Sequence, residues 1–184
     1  MKLKCSLFLG TFLTLSGFSV YAAEMNAGVI HFTGEIIDPS CEIKGDPGHD
    51  ITVPLGTYPT SLFTTVGTES TLTPFRITLE NCPVTSAGLP AVQLTFNGPT
   101  TVSGSTDLLD VTSGAKNVAI AISQDTDPTK LIKLDGTEDQ LRIDLPTTSA
   151  DSISAHLVAR YKAFALPVSA GHANADLTVN ILYR

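Results

Sequence analysis

The sequence predicts an all-β protein, an antiparallel sandwich, and three observations point there. Short β-rich runs recur through the chain from Ala27 onward, turn residues punctuate them, and no stretch sustains a long helical period. The chain has 184 residues, 42% of them apolar, which is enough for one ordinary domain with a real core. With 11 Lys+Arg against 18 Asp+Glu and a formal net charge of −7, it lacks the basic footprint that phosphate binding requires. Nucleic acid is therefore not an expected partner.

The chain opens on an address. Lys2 and Lys4 precede a short apolar run over residues 7–15, and the small residues Ala22 and Ala23 follow shortly after, the pattern of a secretory signal peptide. The run is too short to span a bilayer. Cleavage after Ala22 leaves Val20 and Ala22 at the two restrictive positions, whereas cleavage after Ala23 would put Tyr21 at one of them. The predicted product starts at Ala23 and inserts in no membrane. Losing Lys2, Lys4 and Cys5 moves the formal charge from −7 to −9 and leaves Cys41 and Cys82. In an exported protein two cysteines most simply form one disulfide. Closing a loop of about 42 residues stabilises the fold by about 4 kcal/mol in the entropic account. Free thiols or a metal pair are the alternative, but no third or fourth ligand sits at metal-like spacing.

The predicted strands are Val29 to Ile37, Ile51 to Leu55, Thr73 to Glu80, Ala91 to Phe96, Asn117 to Ile122, Leu131 to Leu134, Leu141 to Leu145, Ser154 to Phe164 and Asp176 to Tyr183. Turn signals part them: Asp38-Pro39, the run from Gly45 to Gly48, Asn97-Gly98-Pro99, Ser103-Gly104, Asp127-Pro128, Asp135-Gly136 and Ala170-Gly171. A period of two marks the core faces. Leu157, Ala159, Tyr161 and Ala163 alternate with His156, Arg160 and Lys162, so one side reads dry and the other wet. Leu177, Val179, Ile181 and Tyr183 alternate with Asp176, Thr178 and Asn180 in the same way. Val158 and Leu182 break the pattern, which fits either a covered second face or contact with another chain.

The last predicted strand ends the chain on an apolar run that no later strand covers, and an open edge of that kind is ordinarily an aggregation liability. The segment from Ala23 to Gly34 is strand-like and poor in charge, with Asn26, Gly28, Ile30 and Phe32 on one parity. Composition alone leaves it either as the first strand of the domain or as a segment meant for an edge elsewhere.

Gly28 to Ile37 followed by Cys41, Phe75 to Cys82, Ala159-Arg160-Tyr161 and Ala173 to Tyr183 together resemble the pilin subunits of chaperone-usher fimbriae, closest to the type 1 major-subunit group. The resemblance implies an immunoglobulin-like antiparallel β-sandwich lacking its C-terminal strand, completed by donor-strand exchange. It implies that 1–22 is a signal peptide, 23–33 a donor-strand extension and 34–184 the pilin domain. Asn26, Gly28, Ile30 and Phe32 then form the donor strand, and Leu177, Val179, Ile181 and Tyr183 the strand bordering the acceptor groove. Gly28 matches the small donor residue that suits a shallow pocket. Tyr183 and the carboxylate of Arg184 match the end gripped by a periplasmic chaperone, and Cys41 and Cys82 match the disulfide. The implied partners are neighbouring pilin subunits, that chaperone and an outer-membrane usher, with the product displayed on the cell surface.

Other functions are expected less. No Gly-x-Ser-x-Gly elbow occurs, and His31, His49, His156 and His172 lie in unrelated segments, so no enzyme is expected. Asp125-Thr126-Asp127 lacks the glycine and distal glutamate of a calcium hand, and neither metal nor cofactor is expected. A tip adhesin of the resembled family would carry a lectin domain for which the chain has no room. A minor adaptor or terminator shares the fold and is not separated from a shaft subunit by these residues.

Overall fold

A computed structural model describes residues 29–38, 40–45, 50–100, 104–112, 114–148 and 151–184. The chain divides into two units, Met1–Thr33 and Gly34–Arg184. The second is an antiparallel sandwich of two sheets. One has the order β1 (Glu42–Ile43), β2 (Thr73–Glu80), β8 (Ile153–Ala163), β5 (Val118–Gln124), β4 (Leu108–Asp110), with β6 (Asp127–Leu131) also pairing β5. The other has the order β7 (Leu141–Asp144), β3 (Ala91–Asn97), β9 (Thr178–Tyr183). One 3-10 turn, Thr60–Leu62, interrupts the loop before β2.

Parity assembles the core. Ile77 and Leu79 of β2, Ile120 and Ile122 of β5 and Leu157 of β8 face inward from one sheet, and Val92, Leu94 and Phe96 of β3 face them from the other. Leu79, Val92, Leu94 and Leu157 are wholly removed from solvent. Each such side chain contributes about 1.5–3 kcal/mol by burial. The Cys41–Cys82 disulfide ties the segment leading into β1 to the end of β2, with Cys82 buried.

The face of β8 that alternation marks as wet is buried at Arg160 and half-buried at Lys162, while His156 stays exposed, and the sequence expectation is corrected at Arg160. Val158 and Arg160 are buried, as are Ala119, Ala121 and Ser123 on β5. Leu108, Leu131 and Phe164 pack over the β5 alanines. Arg160 survives burial because each of its three guanidinium nitrogens donates a hydrogen bond: Nε to Glu69 at 2.6 Å, Nη1 to Ser123 Oγ at 2.9 Å and Nη2 to the Pro128 carbonyl at 2.8 Å. Lys162 adds a second bond to Glu69 at 2.8 Å. Burial pushes the Glu69 carboxyl up, but the hydrogen bonds and charges of Lys162 and Arg160 outweigh it and hold it below its ordinary value.

Two predicted strands are absent. Val29–Ile37 and Ile51–Leu55 run without ladder partners among the described residues. The Leu131–Leu134 strand lies earlier, as β6, because the turn falls at Asp125-Thr126 and not at Asp127-Pro128. β1 and β4 are two and three residues long and pass beneath a pattern that needs at least four.

Candidate functional site

β9 is held on one side only. Val92 pairs with Tyr183 and Asn97 with Thr178, and among the described residues the far edge of β9 pairs with nothing. The ladder continues to the last residue, where the Arg184 and Ala91 backbones exchange hydrogen bonds at 3.2 and 3.3 Å. Six of the seven β3 residues are buried, whereas β9 has no fully buried residue. Its inward side chains Val179, Ile181 and Tyr183, with Leu177 before them, touch the core without being sealed by it.

Beside that edge lies an open groove of about 730 Å³ that reaches between the sheets. Phe75, Ile77, Phe96, Ile120 and Ile122 line it, with Leu177 and Val179 on the β9 side and Ile51, Val53 and Leu55 opposite. Its charged lining residues are Asp50 and Asp176, and the others are apolar apart from Thr52 and Thr178. That suits an extended, uncharged segment with alternate apolar side chains. An unpaired strand edge offers backbone donors and acceptors, and the pockets beneath offer selectivity.

Tyr183 Oη accepts a hydrogen bond from the Cys41 backbone N–H at 2.9 Å, which links the C-terminal strand to the disulfide and across the sandwich. Ahead of β9, the Thr112 N–H donates to the Asn174 carbonyl at 2.9 Å and the Ala115 N–H to the His172 carbonyl at 2.9 Å. The edge strand is therefore anchored at both its approach and its end. The Arg184 guanidinium bonds Glu138 on the surface.

Of the sequence-predicted site residues, Leu177 just before β9 and Val179, Ile181 and Tyr183 within it pack against the core, and of these Leu177 and Val179 line the groove. Ile30 and Phe32 are 78% and 91% exposed, beside an exposed Val29. Asn26 and Gly28 lie outside the described residues, as do 1–22 and the rest of 23–28. Sequence reasoning did not name the groove floor of Phe75, Ile77, Ile120 and Ile122, although the inward parity of their strands was the available signal. His31, His156 and His172 are exposed, and among the described residues no His/Cys/Asp/Glu group could hold a metal ion.

Fold and groove define a class, the immunoglobulin-like sandwich of pilus subunits, here with one edge strand unpaired over its own core. A family profile described as "Fimbrial protein" matches residues 30–184. A type-1 fimbrial protein subunit of Serratia marcescens is 37% identical over 179 residues, covering 94% of each chain. The crystal structure of the P pilus rod subunit PapA superposes with a TM-score of 0.60 at 25% identity, over 79% of this chain and 99% of that one. A chain from a chaperone-usher pilus structure gives a TM-score of 0.61 at 28% identity, over 85% and 95%. This chain belongs to the fimbrial protein family, the structural subunits of chaperone-usher pili, and is thereby a component of a cell-surface pilus built with other pilin subunits.

Proposed function

We propose that this protein builds the shaft of its fimbria, in support of bacterial adhesion, by donor-strand exchange: the segment 23–33 of one subunit fills the groove beside β9 of the next. The supporting observation is the match between an unpaired strand edge over an apolar groove of about 730 Å³ and an exposed, strand-competent segment carrying Val29, Ile30 and Phe32 in the same chain. Each side chain buried in the groove contributes about 1.5–3 kcal/mol, and each ladder hydrogen bond nets about 0.5–1.5 kcal/mol. Leaving the groove would reopen an apolar core to water, so the polymer is durable kinetically as well as at equilibrium.

The same groove explains the partners. Before assembly a periplasmic chaperone covers it and grips the Tyr183–Arg184 end, and the outer-membrane usher exchanges the chaperone for the next subunit. The acidic exported chain suits a basic chaperone or usher surface. Similarity to a rod subunit supports a shaft position. Electron microscopy of fibres made with the cognate chaperone and usher, labelled with antibody to this chain, tests it. Labelling along the whole shaft is expected. A single label per fibre would make the protein an adaptor or terminator, and fibres without label would overturn the proposal.

A further inference from the structure

Gly98 follows β3, and its φ lies outside the left-handed region, so backbone conformation does not demand glycine there. Space does. A Cβ at this position would lie 2.6 Å from Leu109 Cδ1 and 2.9 Å from Leu177 Cδ1, closer than real Cβ contacts come. Leu109 comes from β4 of the larger sheet and Leu177 from the approach to β9 in the smaller one, and both line the groove. A side chain from one sheet and one from the approach to the other thus converge on a residue that has no side chain.

The backbone around Gly98 is fixed. Its N–H donates to the Leu134 carbonyl at 3.0 Å, and the Asp110 N–H donates to the Pro99 carbonyl at 2.8 Å. An added methyl group would be accommodated by the leucine tips, which are the far ends of flexible side chains. The open volume that both leucines border is the groove itself. We propose that Gly98 is a specificity-determining residue of the groove: its missing side chain lets Leu109 and Leu177 withdraw, and so sets the room left for an apolar side chain of the incoming strand at the start of β9. The inference rests on the strand-accepting role proposed above. It differs in kind from the donor-side requirement for a small residue at Gly28, because it places a small residue in the acceptor wall.

The test uses the full chain recovered after export and refolded with its disulfide intact, and a fluorescent synthetic peptide of residues 23–37 as probe. Binding is read by anisotropy, and folding by circular dichroism and thermal unfolding. Gly98→Ala is expected to fold with a near-normal transition and to bind the peptide about tenfold more weakly. Adding Leu177→Ala should restore binding to within about threefold of wild type, which a general loss of stability would not allow. Leu177→Phe in the wild-type background fills the same end without touching Gly98 and is expected to weaken binding similarly, so the test stands even if Gly98→Ala folds poorly. Wild-type binding by Leu177→Phe, or by a folded Gly98→Ala, would overturn the role of Gly98 alone. Failure of the wild-type protein to bind the peptide would instead overturn the strand-accepting role on which it rests.

Discussion

Phe32→Ala separates the subunit from the polymer. Phe32 is 91% exposed in the subunit, so truncating it removes almost no native packing. The subunit's own stability should stay within about 0.5 kcal/mol of wild type, as for other surface substitutions. In the fibre the same ring would be buried against the floor formed by Phe75, Ile77 and Ile120 and its neighbours. Losing that burial costs about 1.5–3 kcal/mol, which corresponds to a dissociation roughly 10- to 140-fold easier. Fibres of both forms, assembled with the same chaperone and usher, would be held in graded guanidinium and the surviving polymer quantified on gels. Thermal unfolding of the isolated subunit is followed in parallel. Weaker fibres with an unchanged subunit are expected. Equal fibre survival would refute burial of Phe32 in the groove, and a subunit melting many degrees lower would place the ring in its own core.

Other perturbations probe the acceptor. Tyr183→Phe keeps the ring but deprives the partly buried Cys41 N–H of its acceptor, so a loss of about 1–3 kcal/mol is expected as a lowered thermal midpoint. Reducing the Cys41–Cys82 bond frees a loop with a sequence separation of 41 and should destabilise the subunit by about 4 kcal/mol, read as a shifted denaturant midpoint. Glu69 has a depressed folded pKa, so its contribution is complete above the ordinary carboxylate value and is lost as pH falls through the depressed one. Glu69→Gln should flatten that acid limb and cost about 1–2 kcal/mol at neutral pH, less than a fully buried pair because the Glu69 side chain is 31% exposed. An acid limb as steep as that of wild type would remove Glu69 as its cause.

Thr73–Glu80, with its alternating pattern, falls in the structure where it falls in the sequence, and Ala91–Asn97 exceeds its prediction by one residue. The first announces itself because alternate residues turn toward the core, the second because six of its seven residues must leave water. Val29–Ile37 reads equally well as a strand and is not one, because periodicity measures fitness to pair and says nothing of who the partner is. Arg160 was placed in solvent by parity alone. Its burial depends on Glu69, Ser123 and Pro128, which approach from distant segments that no local pattern connects. Pro128 hid β6, since an Asp-Pro pair is ordinarily a turn signal and here sits on a short strand beside a bulge. The C-terminal wall of the groove was legible in Leu177 and Val179. Its floor was not, because a groove is an absence between elements, and the residues that bound it look like any core.

The order of strands along the chain carries a consequence for how the molecule comes into being. β2 finds its main partner only in β8, where Thr73 meets Ala159, and β3 is flanked by β7 and β9, where Val92 meets Tyr183. A chain emerging from its N-terminus therefore presents β2 with only the two-residue β1 beside it, and β3 with no sheet partner, until its final third arrives. Pairings of such long separation close slowly and leave apolar edges available to the wrong neighbours in the meantime. Whatever the mature protein later does with its open edge, the nascent one has several of them at once, and time is what it must be protected from.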